Sequence, residues 1–397
     1  MWILMKKFFA MLMSVLLAVL LIVPTFAADA ATPAEKAHIA FGDDGKLTIL
    51  QVADVQDDAF LSYFCKRSIV YAVQTAKPDL IVLTGDNISG PSCRTKLLAK
   101  KAISDVMNVL EPFGIPVAMV FGNHDDEKTP LTKAEQIEQY EKYSCFIGCA
   151  GVVAELKVGD NSTVNAGTYN IPVYASADSD QVAYNIWCFD SGNYNPDPAY
   201  GGYGYVLPEQ VAWYVETSNA LKEANGGTPV PSIAFQHIIP PHIYRALKQV
   251  DAGTSGAVER GGNYYTLPDG TDTGTNWLSE APCPPSTACE AAYAEVDTML
   301  RQGDVKAIFV GHDHVNHYIV PYEGIDLVSS QGCTFHSYND LHRGFRVITV
   351  DKNNPDTYET HILFTDTLLQ QGNFVDVTLY NIRALYDKVY AFFRNLF

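Results

Sequence analysis

The sequence predicts an α/β fold whose core is a parallel sheet assembled from strand–helix–strand units. Three observations carry this. Short apolar, β-branched runs recur along the chain and are separated by stretches of helical spacing. The runs end in glycine or in residue types that bind metal. Hydrophobic residues make up 47% of the 397 positions, which is ample for a large core.

The elements follow in order. Leu47 to Ala53 reads LTILQVA, a strand that ends at Asp54-Val55-Gln56. Tyr63 to Ala76 is a helix closed by Pro78. Leu80 to Thr84 is a buried strand ending at Gly85-Asp86-Asn87. Thr95 to Leu110 is helical and is stopped by Pro112. Pro116 to Phe121 is a strand ending at Gly122-Asn123-His124-Asp125-Asp126-Glu127. The pattern then changes. Thr168 to Ala175 and Gln181 to Phe189 alternate like antiparallel strands, and Asp190 to Tyr205, rich in Gly, Asn and Tyr, is a loop. Pro208 opens a helix that runs to about Ala224, with proline in its first turn. Pro231 to Gln236 is a strand ending at His237. Pro240 to Pro285 shows little periodicity and reads as a long loop, which in a compact domain is functional or mobile. Ala288 to Arg301 is a helix leading into Val305 to Val310, a strand that ends at Gly311-His312-Asp313-His314-Val315-Asn316. Tyr318 to Pro321, Ile325 to Ser329, Phe345 to Val350 and Thr357 to Phe364 are further strands. No linker or repeat interrupts the series, so one domain extends from about Phe41 to about Thr367.

The formal net charge of -18 argues against nucleic acid as the main partner, since its backbone requires basic patches. It is compatible with a small phosphorylated substrate held through metal ions. At the amino terminus, Lys6 and Lys7 precede an apolar run from Phe8 to Val23, and small residues follow to Ala30. Residues 1–30 therefore read as a signal peptide, cleaved after Ala27 or Ala30, and the protein as secreted or held at the cell surface. The alternative is an uncleaved segment that anchors the chain in the membrane. An even count of 8 cysteines in an exported chain permits disulfides. Cys283 with Cys289 makes a local bridge, and Cys65 with Cys93 and Cys145 with Cys149 are further candidates. Cys188 lies in an apolar run and packs as a small hydrophobe.

The strand ends gather Asp54, Asp86, Asn123, His237, His312 and His314. Mixed oxygen and nitrogen donors without thiolate suit Mn, Fe or Zn. Six donors exceed what one open site needs, and two ions sharing a carboxylate accommodate them better. Asp86, behind a glycine that lets the backbone approach closely, is the natural bridge. Each residue alone has an ordinary alternative: either aspartate as a helix cap, His237 as a core histidine.

The order D-x-x, GD, GNHD, H, GHxH resembles the calcineurin-like metallophosphoesterase superfamily. Gly122 to Glu127 and Gly311 to Asn316 resemble its purple-acid-phosphatase-like branch. So do Gly204-Tyr205 followed by Gln210, Trp213 and Tyr214, and the run Arg343-Gly344-Phe345-Arg346-Val347. The resemblance spans about Leu47 to Val350. It implies a four-layer α/β/β/α sandwich of two mixed β-sheets with a dinuclear centre of two divalent or trivalent metal ions. By motif position, Asp54, Asp86 and His314 would hold one ion, with Gln56 as a further donor. Asp86, Asn123, His237 and His312 would hold the other, and His124 would be a substrate-facing acid or phosphate contact. The activity implied is metal-dependent hydrolysis of phosphate esters, monoesters first, by a metal-activated water. The alternatives are a phosphodiesterase or nucleotide hydrolase and, from another class, a catalytically weak phosphate-binding surface protein.

Two departures from the family pattern stand out. The first block, usually D-x-H, ends here in Gln56, and an amide oxygen is a weaker donor than imidazole. The tyrosine of the purple enzymes' GDxxY block is Ser89, so no iron–tyrosinate colour is expected. Beyond the domain, residues 374–397 form an amphipathic tail. Ile382, Leu385, Tyr386, Val389, Phe393 and Leu396 recur in it at helical spacing. Such a helix either docks on the domain or lies against a membrane surface.

Overall fold

The computed structural model describes residues 38–148, 157–158, 163–164, 167–338 and 342–394. The expected signal segment, Cys149 and the last residues of the tail lie outside these. Strands β1 (Ile39–Ala40) and β2 (Lys46–Val52) lead to helix α1 (Tyr63–Ala76). Ser62 caps α1 by accepting from the Cys65 amide, and Lys77 ends it in the left-handed region ahead of Pro78. Strand β3 (Leu80–Thr84), helix α2 (Lys96–Leu110) and strand β4 (Val117–Val120) complete two crossover units. Next come α3 (Asn123–Asp126), α4 (Lys133–Tyr140), the β5–β6 ladder (Lys157–Val158 with Thr163–Val164) and the antiparallel pair β7 (Tyr169–Tyr174) and β8 (Val182–Cys188). Helix α5 (Pro208–Ala224) precedes β9 (Ser232–Phe235). The segment expected to be a long loop contains α6 (Ile243–Ala246), β10 (Lys248–Val250), β11 (Val258–Arg260) and β12 (Asn263–Thr266). Helix α7 (Ala294–Gln302), preceded by a 3-10 turn at Glu290–Tyr293, feeds β13 (Val305–Val310). The chain continues through β14 (Tyr318–Tyr322), β15 (Ile325–Ser329), β16 (Gly344–Asp351), β17 (Tyr358–Phe364), α8 (Thr365–Gln370) and α9 (Phe374–Arg394).

Two mixed sheets result. One orders its strands β17-β16-β2-β3-β4, the other β1-β7-β8-β9-β13-β15-β14. The period of two along each strand sets the layers. In β2, Leu50 and Val52 face α1 and α2 and pack with Ile69, Val73, Ile103 and Met107. Leu47 and Ile49 face the second sheet and meet Ile171, Ile186, Ile233 and Phe309. The far face of that sheet, through Trp187, Ala234, Ile308 and Leu327, packs on Val211 and Tyr214 of α5 and on Val296 and Met299 of α7. The architecture is therefore a four-layer α/β/β/α sandwich, as the sequence resemblance implied. The central parallel strands of both sheets are buried on both faces, which explains why they read as unbroken apolar runs.

The sequence reading differs from the structure in two places. The 240–285 segment is not one irregular loop, because β10, β12 and β11 form an antiparallel sheet of their own. Its strands are three or four residues long, too short to show alternation. Gly261-Gly262, both at positive φ, form a two-residue hairpin between β11 and β12. The insert is fastened to the GHDHVN loop. Trp277 and His317 exchange both backbone hydrogen bonds, at 2.7 and 3.0 Å, and the Ser279 amide donates to Asn316 Oδ1 at 2.8 Å. The second difference concerns the cysteines. Cys65, Cys93, Cys283 and Cys289 are free thiols, so neither the Cys283–Cys289 nor the Cys65–Cys93 bridge forms. Cys283 Sγ instead takes Arg260 Nη1 at 3.3 Å, and Cys65 lies against the Cys333 carbonyl.

Helix α9 docks through its first turns. Asp376, buried, accepts from Arg67 Nε at 2.7 Å, from Asn373 Nδ2 at 2.8 Å and from the hydroxyls of Tyr63 and Tyr71. Tyr380 packs edge-on against Phe64, whereas Ile382 and Leu385 are exposed. Among the described residues no helix is long and apolar enough to cross a membrane.

Candidate metal centre

Strands β2, β3 and β4 of one sheet end at Asp54, Asp86 and Asn123, and β9 and β13 of the other end at His237 and His312. The two sets of carboxyl ends meet at one edge of the sandwich. Tight turns at three of these ends are backbone-costly. Asp54, Asp86 and His312 have φ of 51, 50 and 74°, a region non-glycine residues rarely adopt. Hydrogen bonds hold them there. The His312 amide donates to both Asp54 carboxylate oxygens at 3.1 Å, the Gln56 amide to the Asp86 carbonyl at 2.8 Å, and the His124 amide to Asp86 Oδ1 at 2.8 Å.

Two donor clusters share Asp86: Asp86 with His237 and His312, and Asp54 with Asp86 and His314. Within each cluster the donor atoms lie within 4.8 Å of one another and every residue is buried. His237 Nε2 is 3.3 Å from Asp86 Oδ2, 3.2 Å from Asn123 Oδ1 and 3.2 Å from His312 Nδ1. His314 Nε2 is 3.6 Å from Asp54 Oδ1. The outer nitrogens are occupied. His237 Nδ1 faces the Thr84 carbonyl at 3.0 Å and His314 Nδ1 the Tyr338 carbonyl at 2.7 Å. When neutral, each ring donates outward and directs its lone pair inward. Inward lone pairs, two carboxylates and an amide oxygen are the donor set of a borderline or hard cation, so the residues of the two clusters fit metal ions of that kind. Gln56 abuts the second cluster through its amide nitrogen, which donates to Asp86 Oδ2 at 3.2 Å and lies against His314 Nε2, so the side chain turns a hydrogen-bond donor to the cluster and not the carbonyl oxygen expected of a ligand. Ser89 does not reach the centre and bonds Ser92 Oγ at 3.3 Å.

The electrostatics call for positive charge here. Burial raises the Asp86 pKa, but the neighbouring His237 outweighs it and holds the carboxylate well below its usual range. Burial opposes charge on His237 too, yet Asp86 lifts its pKa to about 10. Burial, then His237, lowers His312, and burial lowers His314 to about 4. Burial also raises Asp54. One imidazolium thus serves as counter-charge to Asp86, a role a cation fills more fully.

Several residues at the site escaped the sequence reading. Asp125, buried, accepts from the amides of Gly122 at 2.8 Å and of Asn87 and Ile88 at 3.0 Å, which ties the GD and GNHD loops together. Burial, with Asp86 next, pushes its pKa up to about 7. Glu127 Oε2 lies 3.2 Å from His124 Nδ1, beside that partly exposed ring. Tyr203 stands edge-on to His312 at 4.2 Å between centroids, and Tyr338 stacks on His314 at 4.3 Å. The GNHD spacing singles out Asp125, but no local pattern marks the tyrosines.

Comparison with known proteins gives the family. The family model described as "Calcineurin-like phosphoesterase" matches residues 47–316. The "Probable inactive purple acid phosphatase 29" of Arabidopsis thaliana is 28% identical, over 81% of this chain and 80% of its own length. "Phosphatase DCR2" of Saccharomyces cerevisiae is 26% identical, over 70% of this chain and 45% of its own. Among solved structures, a dimetal phosphatase from Danio rerio covers 80% of this chain and 98% of its own, with 12% identity and a TM-score of 0.47. The match to the family model takes in all of the gathered donors, and the chain belongs to the calcineurin-like phosphoesterase family, in its purple-acid-phosphatase-like branch.

Proposed function

We propose that the chain is an active, exported, metal-dependent phosphomonoesterase. The observation that carries the reading is the pair of buried donor clusters sharing Asp86. When bound, the metal ions supply Lewis acidity and an acidified water. The chain's own residues do the rest. Asp86, Asp54 and the three histidines would hold the ions that meet the phosphate. His124 is one-third exposed, at the rim, with Nδ1 turned to Glu127. Its other nitrogen would contact a phosphoryl oxygen or protonate the leaving group. Water adds to phosphorus, the ester P–O bond breaks, and the alcohol leaves with a proton. A monoester places its doubly charged phosphoryl group against the centre, where positive charge is stabilised most. Export rests on the amino-terminal segment, and the mature chain should begin at Ala28 or Ala31 by amino-terminal sequencing.

Metal analysis of purified protein, followed by a panel of phosphomonoesters, diesters and nucleotides, tests the activity. Asp86→Asn should lose most bound metal and nearly all hydrolysis. Two retained metals with full turnover in that variant would refute the shared-carboxylate assignment. A second reading is favoured by the names of the Arabidopsis relatives, which call those proteins inactive. In it, the chain binds phosphate without turning esters over, and metal-loaded protein hydrolyses no member of the panel.

A further inference from the structure

Beside the centre runs a hairpin that neither the donor set nor the core requires. Tyr194 and Tyr203 pair across it as a β-bridge, their rings parallel, 15° between planes and 6.0 Å between centroids. The Asn195 amide donates to the Gly202 carbonyl at 3.0 Å and the Gly204 amide to the Asn193 carbonyl at 3.2 Å, which stiffens the turn. Asn193 Nδ2 donates to Asp126 Oδ2 at 2.9 Å, which ties the hairpin to the short helix that presents His124. The two rings are therefore fixed with respect to both His312 and His124. Tyr203 shields His312, an ordinary packing role. Tyr194 has no such duty. It is 49% exposed, and its hydroxyl lies near Glu127, beside His124. On the other side Tyr338, 54% exposed, stacks on His314. Rigid, half-exposed rings beside a reaction centre offer a flat apolar face at little entropic cost, and a planar partner is what such a face takes up.

We propose that the Tyr194–Tyr203 pair is a stacking subsite for the leaving group, so that the preferred phosphomonoesters carry a planar aromatic ring, as aryl or nucleoside phosphates do. This rests on the hydrolytic reading above and names its substrate class.

The test compares adenosine 5′-monophosphate with ribose 5-phosphate. Both release a primary alcohol, so the base alone separates them. The nucleotide should show a kcat/KM about fivefold to tenfold higher, the lower end of what stacking on an aromatic side chain contributes. Tyr194→Ala should bring the ratio near one, while Tyr194→Phe, which keeps the ring, should preserve it. Adenosine and N-acetyltyrosinamide, as inhibitors of ribose 5-phosphate hydrolysis, separate the two sources. Stronger inhibition by adenosine assigns a nucleoside, stronger inhibition by the tyrosine derivative an aryl ester. A wild-type ratio near one, inhibition by neither compound, or a preference that survives in Tyr194→Ala would overturn the proposal. If no phosphoester is turned over, the hydrolytic reading fails separately. Calorimetric binding of adenosine to metal-loaded protein, abolished in Tyr194→Ala, would still support the subsite, and no binding would refute it.

Discussion

Removing the Asp125 carboxylate should loosen the centre without touching any of its donors. Oδ1 accepts from the Asn87 and Ile88 amides and Oδ2 from the Gly122 amide. The carboxylate is fully buried, so water does not replace it readily. Asp125→Ala leaves three buried N–H groups without an acceptor, each costing about 1–3 kcal/mol. Partial relaxation brings the expected loss to about 3–5 kcal/mol, comparable with breaking a buried network. Asp125→Asn keeps one acceptor for the Asn87 and Ile88 amides and turns an NH2 toward the Gly122 amide, so about 1–3 kcal/mol should be lost. Urea unfolding of both variants gives the stability, and metal titration gives the effect on Asp86 and Asn123, which flank the knot. The expected order is wild type, then Asn, then Ala, in both measurements. Equal losses in the two variants, or stability within 1 kcal/mol of wild type in Asp125→Ala, would refute the reasoning.

Three further outcomes are expected. Burial pushes the Glu295 pKa up to about 8, against about 4.3 in an unfolded chain, so the folded state holds the extra proton and stability falls as pH rises from about 4 to 8. Glu295→Gln should flatten that slope and add up to about 3 kcal/mol at pH 7, read from urea midpoints, and an unchanged slope would count against it. Asp376 runs the other way. Burial raises its pKa, but bonds from Tyr63, Tyr71 and Arg67 outweigh it, so its contribution is present above about pH 4 and lost as pH falls through the depressed folded value. Asp376→Ala should therefore release α9 at neutral pH, seen as faster proteolysis around residues 371–376, and unchanged protection would show that other contacts dock it. Gln56→His should tighten the cluster of Asp54, Asp86 and His314 by about 10–100-fold in competition with a chelator, and equal affinities would mean that the amide is no handicap.

Much of the fold was legible because its signals are local. Tyr63–Ala76 and Pro208–Ala224 carry their own stops and starts, and the parallel strands are apolar on both faces. The donors were legible because the strand ends repeat one device, a turn followed by a polar residue. What escaped depends on partners distant in sequence. The Asp125 bonds reach 37 and 38 residues back, and Tyr338 meets His314 only through a loop between strands. The small insert sheet escaped because period-two alternation needs more than three or four residues to show. The Cys65–Cys93 and Cys283–Cys289 disulfides failed because proximity in sequence does not aim two thiols at each other, and Cys283 has a guanidinium for company.

Three motif glycines give the cage a second definition, by what is missing from it. A methyl on Gly85 would lie 2.6 Å from His237 Nδ1, one on Gly311 would lie 2.6 Å from Asp54 Oδ2, and one on Gly122 would collide with Asp86. Adding a single carbon at any of these places displaces a donor while leaving every donor in the sequence. Intact ligand letters are thus no certificate of an intact site in a related chain, and alanine at one of these positions is a better mark of a silenced centre than any donor. The same substitutions give the experimenter an empty-cage control that keeps every titrating group.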